Sequence, residues 1–140
     1  MIEKARHRDA ALEGRRILIV EDDVRNVYSL TSILEPRGAV TRIARNGQEA
    51  LDALAEASDD ASKTIDLVLM DVMMPVMDGL TATSAIRDQP RWKKLPIIML
   101  TAKAMPDDQQ KCIEAGANDY MAKPLDIDKL LSLVRVWMPR

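Results

Sequence analysis

The stretch from residue 67 to residue 79, LVLMDVMMPVMDG, constrains the fold of this chain more than any other. Its first four residues are apolar, a carboxylate follows at Asp71, and proline and glycine then mark a loop. A short, continuous apolar run is typical of a strand buried on both faces, as in a parallel sheet. We therefore expect Asp71 at or next to the carboxyl end of a buried strand, where open α/β sheets bind their ligands.

Length and composition narrow the class of protein. The 140 residues favour one domain with a substantial core, and a net charge of −2 leaves no basic footprint for nucleic acid. No apolar run approaches the ~20 residues of a membrane span, and the first residues lack the apolar core of a signal peptide. The single cysteine, Cys112, excludes an internal disulfide. These features predict a cytoplasmic protein that acts without nucleic acid or membrane contact.

Apolar periodicity along the rest of the chain alternates between strand and helix. Residues 1–14 are polar and mixed in charge, and we interpret them as a tail or linker before a domain at 15–140. Short apolar runs predict strands at 17–20, 39–44, 65–70, 97–100 and 120–122. Amphipathic patterns predict helices at 26–34, 48–57, 106–115 and 126–138, and one from Asp78-Gly79 to near Pro90. Five strand–helix units with right-handed crossovers predict an α/β fold, with a five-stranded parallel sheet and helices on both faces.

Polar side chains follow or end four of these predicted strands. Glu21 and Asp22 follow the first, Asp71 the third, Thr101 the fourth and Lys123 the fifth. Because the carboxyl ends of parallel strands meet at one edge, these groups should lie together. Two like charges about 4 Å apart repel by about 4 kcal/mol at an effective dielectric of 20, and a hard divalent cation such as Mg²⁺ relieves this. The set suits phosphoryl transfer to a nucleophilic carboxylate.

Each of these residues also has an ordinary explanation when it is taken alone. An aspartate after a strand is commonly a turn residue, and acids at a helix N-terminus interact favourably with the helix dipole. A lone threonine is commonly a strand residue, and a lone lysine a surface charge. Their shared placement at the strand ends of one sheet favours the site over these explanations.

Four motifs, in order, resemble the signatures of the receiver domain of two-component response regulators: VEDD, LMDVMMPVMDG, IIMLTAKA and DYMAKP. The resemblance covers roughly residues 15–138 and implies the flavodoxin-like (βα)5 fold. It also implies a phosphoacceptor switch that takes a phosphoryl group from a phosphohistidine donor in a Mg²⁺-dependent reaction. Such a domain catalyses only its own phosphorylation and dephosphorylation.

The resemblance assigns roles to individual residues. Asp71 would be the phosphoacceptor, and Glu21 and Asp22 the acidic pair that holds Mg²⁺, with Mn²⁺ as an alternative. The backbone carbonyl of Met73 would complete the metal site. The remaining roles are phosphoryl contacts from Thr101 and Lys123, the aromatic switch residue Tyr120, and a cis peptide bond at Lys123-Pro124.

Partners follow from the same resemblance. The phosphodonor would be a histidine kinase or a histidine phosphotransfer protein. A downstream protein would bind the face formed by the fourth helix, the fifth strand and the fifth helix, since no output domain is expected in this chain. Both a free single-domain regulator and the receiver of a hybrid histidine kinase remain open, and LEGRRILIVEDDVRNVYSL resembles the junction into hybrid-kinase receivers.

Two other functional classes are weighed against the receiver. A haloacid-dehalogenase-type phosphatase needs a second aspartate two residues after its nucleophile, but Met73 occupies that position. A degenerate docking domain is disfavoured because all five site positions are retained.

The lifetime of the phosphorylated state is expected to depend on Met73 and Lys103, which flank the path of attacking water. An apolar Met73 cannot orient a water molecule, and the stem of Lys103 would shield the phosphoryl group. We therefore expect slow autodephosphorylation. The alternative is that both side chains lie in solvent without effect.

Overall fold

Strand and helix alternate along the chain in the computed structural model, which describes residues 12–102 and 106–138. The strands are β1 (Arg16–Val20), β2 (Val40–Ala44), β3 (Leu67–Asp71), β4 (Ile97–Thr101) and β5 (Asp119–Ala122). The helices are α1 (Val24–Leu34), α2 (Gly47–Asp59), α3 (Gly79–Arg87), α4 (Pro106–Ala115) and α5 (Ile127–Trp137). Short 3₁₀ turns lie in three connections: Glu35–Arg37, Ala61–Lys63 and Pro90–Trp92.

All five strands join in one parallel sheet with the order β2-β1-β3-β4-β5. The direction of winding reverses between β1 and β3, since β2 lies on one side of β1 and the later strands lie on the other. This is the switch point at which doubly wound sheets open a crevice outside their carboxyl ends. The predicted fold class is confirmed, and the crevice lies beside the residues that end β1 and β3.

Helices cover both faces of the sheet because alternate strand residues project to opposite sides. On one face Leu18, Met70 and Met99 belong to a buried cluster with residues of α2, α3 and α4. On the other face Ile19 and Leu69 belong to a second cluster with residues of α1 and α5. The central strand β3 is buried along its whole length, as its apolar sequence predicts.

The structure moves two predicted boundaries that matter for the crevice. Helix α1 begins at Val24 rather than at residue 26, because the Asp23 side chain accepts a hydrogen bond from the backbone N–H of Arg25. Such N-caps satisfy one of the donors left free at a helix start. Strand β3 extends to Asp71 instead of stopping at residue 70, so the carboxylate is part of the sheet.

The polar stretch at 1–14 reaches the core at its end. Leu12 is fully buried in the cluster with α1 and α5, and its carbonyl accepts a hydrogen bond from the N–H of Arg15 at 2.9 Å. Residues 1–11 of the predicted tail at 1–14 lie outside the described residues. Among the residues that are described, no helix combines the length and apolar character needed to cross a bilayer.

Candidate functional site

The polar residues at the strand ends meet at one edge of the sheet. Glu21 directly follows β1, Asp71 ends β3, Thr101 ends β4 and Lys123 directly follows β5. Since β1, β3, β4 and β5 are successive neighbours in the sheet, their carboxyl ends form a continuous row. The structure thus brings together the groups predicted from the sequence.

Three carboxylates form the acidic part of this row. One oxygen each from Glu21, Asp22 and Asp71 lies within 4.8 Å of the other two. Glu21 is 1% exposed and Asp71 is 4% exposed, whereas Asp22 is open to solvent. A group of carboxylate oxygens with one exposed member suits a hard divalent cation that keeps part of its water shell.

Lys123 supplies the positive charge nearest to these acids. Its ammonium donates to Glu21 Oε2 and to Asp71 Oδ1, both at 3.1 Å. The peptide bond between Lys123 and Pro124 is cis, as predicted. Burial acts to lower the pKa of Lys123, but its hydrogen bonds to Asp71 and Glu21 outweigh burial and raise it. Lys123 therefore stays charged and bridges the two buried acids.

One ammonium does not compensate this amount of negative charge. Burial, followed by the charge of Glu21, raises the pKa of Asp71 to about 6 against the opposing effect of Lys123. Glu21 has a further donor, since the N–H of Asp23 lies 3.1 Å from its Oε1. The ionised form of Asp71 thus remains short of favourable partners, which is the condition that a bound cation corrects.

Thr101 and Tyr120 lie on the side of the row next to β5. Thr101 is buried at the end of β4, and its carbonyl accepts a hydrogen bond from the N–H of Lys123 at 2.8 Å. Tyr120 is partly buried and packs against the core cluster that contains α2, α3 and α4. The buried Thr101 therefore lies one strand away from Asp71, and the half-buried Tyr120 lies two strands away.

The loop between β3 and α3 is rooted beside Asp71. The N–H of Gly79 donates to the carbonyl of Val72 at 2.9 Å and closes the loop at its base. Only glycine fits at position 79, because a Cβ there would lie 2.1 Å from the carbonyl oxygen of Asp71. Met73, on this loop, is 73% exposed. Lys103, the other residue predicted to set the phosphate lifetime, lies outside the described residues.

Two apolar residues beside the site were missed by the sequence interpretation. Val24 and Tyr28 lie on α1 and are 75% and 73% exposed. Val24 lines an open cleft of about 440 Å³ with Glu21 and Asp22, and Tyr28 lines one of about 450 Å³ with Lys123. The signal was present, because both residues fall outside the buried face of α1 formed by Leu30, Ile33 and Leu34.

Comparison with known proteins identifies the family. Residues 17–135 match the model of the response regulator receiver domain. The chain belongs to this family. The match contains all of the residues in the row at the sheet edge, from Glu21 to Lys123.

Relatives of this receiver are found in larger signalling proteins. The hybrid signal transduction histidine kinase M of Dictyostelium discoideum is 38% identical over 122 residues, which are 85% of this chain. The receiver spans only 5% of the length of that kinase.

Solved structures show the same fold. The receiver domain of sensor histidine kinase PA1611 from Pseudomonas aeruginosa, which has a magnesium ion in its active-site cleft, is 35% identical. The TM-score is 0.77, over 91% of this chain and 99% of that one. The receiver domain of Saccharomyces cerevisiae Ssk1, solved with the histidine phosphotransfer protein Ypd1, is 30% identical, with a TM-score of 0.81 over 91% and 90% of the two chains.

The prediction of a receiver domain of two-component phosphorelays is confirmed by these comparisons. The acidic cluster expected for a metal site is present. The roles of the individual residues remain predictions.

Proposed function

We propose that this receiver takes a phosphoryl group from a phosphohistidine donor onto Asp71 in a Mg²⁺-dependent reaction and thereby changes its partner binding. In this step the P–N bond to the donor imidazole breaks and a P–O bond to an Asp71 carboxylate oxygen forms. The donor imidazole, protonated on its other ring nitrogen, leaves with the electron pair of the broken bond as a neutral ring. The receiver catalyses this step, and the later hydrolysis, only on itself.

The observation that carries the proposal is the environment of the Asp71 carboxylate. It is buried beside two further carboxylates, yet one of its oxygens contacts the ammonium of Lys123 at 3.1 Å. The exposed neighbour Asp22 shows that the cluster opens toward solvent. A nucleophile in this setting is reachable by an incoming phosphoryl group and has fixed positive charge next to it.

The donor set fits Mg²⁺ or Mn²⁺. Glu21, Asp22 and Asp71 offer the carboxylate oxygens, and the backbone carbonyl of Met73 is proposed as a further ligand. When bound, the cation neutralises charge on the transferring group. Lys123 adds a second positive charge on the same carboxylate and holds it in place. Thr101, at the end of the next strand, is proposed to donate its hydroxyl to a phosphoryl oxygen.

The response to phosphorylation is proposed to pass through Thr101 and Tyr120. A phosphoryl group on Asp71 would draw the Thr101 hydroxyl toward it and leave space for the Tyr120 ring. Tyr120 is already half-buried against the core, so a small rearrangement of its ring changes the surface near β5. This is a packing element with two arrangements that a local charge biases.

Two surfaces would then meet two kinds of partner. The phosphodonor, a histidine kinase or a histidine phosphotransfer protein, has to reach Asp71 at the carboxyl edge. A downstream protein would bind the face of α4, β5 and α5, where Ile113 on α4 and Val136 on α5 are 47% and 64% exposed. Exposed apolar side chains of this size are available for protein contacts.

Phosphorylation by acetyl phosphate tests the chemistry without any protein partner. With Mg²⁺ present, intact-protein mass spectrometry should show one added phosphoryl group on the wild-type chain, and peptide mapping should place it on Asp71. Asp71→Asn should carry none, and chelation of the metal should prevent labelling of the wild type. Calorimetry should show that Asp22→Asn weakens Mg²⁺ binding, which measures the metal site independently of phosphorylation.

Asp52→Asn is a matched control, because it removes a carboxylate from the exposed surface of α2 away from the strand ends. It should be labelled like the wild type. Stoichiometric phosphate on the Asp71→Asn chain, or labelling that does not depend on a divalent cation, would contradict the proposed function.

A further inference from the structure

The tip of the loop between β3 and α3 has a backbone conformation that its residue disfavours. The N–H of Met77 donates to the carbonyl of Pro75 at 2.7 Å, which closes a three-residue turn centred on Val76. Val76 has a φ of 67°, and it is the one non-glycine residue with positive φ in the described part of the chain. γ-Turns with positive φ are rare and strained, and a β-branched side chain makes this one worse.

Contacts of the two residues that follow Val76 hold it in this turn. Met77 packs against the core, and its carbonyl accepts the N–H of Gly47 at 3.0 Å. Asp78 caps α3 by accepting the N–H of Thr81 at 2.7 Å. A strained residue persists where its surroundings determine its conformation in this way.

The surroundings explain the turn but not the valine. Glycine or asparagine would adopt this backbone angle more easily. The Val76 side chain makes little internal contact, since it is 85% exposed, and it is the most exposed large apolar side chain among the described residues. The valine therefore strains the turn without a return in packing, which points to a contact with another molecule.

The position of the turn indicates which molecule that is. The four most exposed large apolar residues of the described chain are Val24, Tyr28, Met73 and Val76. Two lie on α1, which begins directly after the acidic residues 21–23, and two lie on the loop rooted at Asp71. Val24 lines a cleft with Glu21 and Asp22, and Tyr28 lines one with Lys123. Met73 and Val76 follow Asp71 by two and five residues, so a protein that delivers a phosphoryl group to Asp71 approaches this part of the surface.

We propose that Val76 is a specificity-determining contact for the histidine-bearing phosphodonor, held outward by its turn to meet an apolar surface around the donor histidine. This rests on the proposed function of Asp71. A rigid apolar side chain at a preset position loses little freedom on binding, which favours it as an anchor. The downstream partner, which would bind the face of α4, β5 and α5, does not need this contact.

Two phosphodonors distinguish an effect of Val76 on donor binding from an effect on the phosphorylation of Asp71 itself. The first is acetyl phosphate with Mg²⁺. The second is the fastest donor from a panel of phosphorylated histidine phosphotransfer proteins that includes Ypd1. For Val76→Ala we expect the ratio of the protein-donor kcat/KM to the acetyl phosphate rate to fall about tenfold, mainly through KM, as for loss of an interface anchor. Val76→Ile should keep the ratio.

Val76→Gly and Val76→Asn separate strain from contact. Both should raise the midpoint of urea unfolding, because they relieve the strain in the turn. Both should nevertheless lower the ratio of the protein-donor kcat/KM to the acetyl phosphate rate, as Val76→Ala does. Val40→Ala is the matched control, since Val40 is an exposed valine at the opposite edge of the sheet. It should leave both rates as in the wild type.

The possible outcomes are distinct. A Val76→Ala ratio equal to that of Val40→Ala overturns the inference, and so does a panel in which no protein donor labels the wild type faster than acetyl phosphate. Failure of acetyl phosphate to label Asp71 at all overturns the proposed function instead.

Discussion

At the amino edge of the sheet one half-buried cation meets three neutral oxygen acceptors, whereas at the carboxyl edge one ammonium serves two buried carboxylates. The guanidinium of Arg87 donates to the carbonyls of Gly116 at 2.8 Å and Trp92 at 2.6 Å, and to Asn118 Oδ1 at 2.7 Å. The same Asn118 oxygen accepts the N–H of Ile97 at 2.9 Å and so joins the start of β4 to this network.

The difference separates a structural edge from the edge where we propose that phosphoryl transfer takes place, which we call the reactive edge. Burial lowers the pKa of Arg87, but a guanidinium stays charged, and its donors are matched by acceptors that carry no opposing charge. No further ligand is needed there. At the other edge the raised pKa of Asp71 records a carboxylate whose charge is incompletely compensated by protein groups. A divalent cation, as proposed for this site, would make up that shortfall.

Removal of the cation at the amino edge should have the largest effect on stability. Arg87→Met leaves the partly buried oxygens of Gly116, Trp92 and Asn118 without these donors, and acceptors shielded from water are costly when they lose a charged donor. We expect the free energy of unfolding to fall by about 2–4 kcal/mol in urea denaturation, with acetyl phosphate labelling of Asp71 retained in the folded protein. Arg91 is exposed in the connection between α3 and β4, and Arg91→Met should change the free energy of unfolding by less than about 0.5 kcal/mol. Equal losses for the two variants would remove the contrast between the edges.

Removal of the Asp71 charge at the carboxyl edge, by Asp71→Asn, should raise the free energy of unfolding, and the increase should depend on pH. The folded pKa of Asp71, about 6, lies above its ordinary value of 3.8, so the folded protein holds this proton more tightly than the unfolded chain. The stabilising contribution is therefore complete below pH 3.8 and is lost as the pH rises through 6. Without divalent cations, the stability of the wild type relative to Asp71→Asn should fall by up to about 3 kcal/mol between pH 4 and pH 7.

The comparison with Asp71→Asn cancels the titration of acids elsewhere. Asp23, for example, has a pKa lowered mainly by its hydrogen bonds with Arg25, and it contributes with the opposite sign in both proteins. Addition of Mg²⁺ at pH 7 should stabilise the wild type and not the variant. A difference between the two proteins that is flat across this pH range would show that Lys123 compensates Asp71 fully.

The smallest effect is expected for substitution of Met73, which tests whether this side chain affects the hydrolysis of phosphorylated Asp71 by water. Its side chain is 73% exposed, two residues after Asp71. An amide at this position can orient an attacking water molecule, so Met73→Asn should shorten the half-life of phosphorylated Asp71 about three- to tenfold, a change of about 0.7–1.4 kcal/mol in the barrier. Met73→Leu should keep the wild-type half-life. Half-lives that agree for all three proteins would mean that this side chain does not affect hydrolysis.

The sequence predicts the reactive edge better than the structural one. Apolar runs that end in polar residues locate Glu21, Asp71 and Thr101, because parallel strands bring their carboxyl ends together. Arg87 has no such signal. The sequence alone indicates a surface charge for an arginine in the last turn of an amphipathic helix. Two of the three acceptors of Arg87 are backbone carbonyls, and since every residue carries one, they leave no mark in the sequence. Val76 was equally hidden, since valine is among the residues least expected at positive φ.

Local capping explains the boundary that was predicted wrongly at α1. The first residue of the predicted apolar face, Val27, lies three residues after the start of the helix at Val24. That start is decided by the Asp23 side chain and not by periodicity. The cis bond at Lys123-Pro124 followed from the family resemblance alone and is confirmed.

The burial of Leu12 has a practical consequence for protein engineering. Its side chain belongs to the buried cluster that contains residues of α1 and α5, and the adjoining turn is tied to the segment before β2 by the hydrogen bond from the N–H of Gly14 to the carbonyl of Gly38 at 2.9 Å. A fluorescent reporter fused ahead of this domain should therefore be joined before Leu12. A junction placed between Leu12 and Arg16 would open a void under both helices and couple the motion of the reporter to the hydrophobic core.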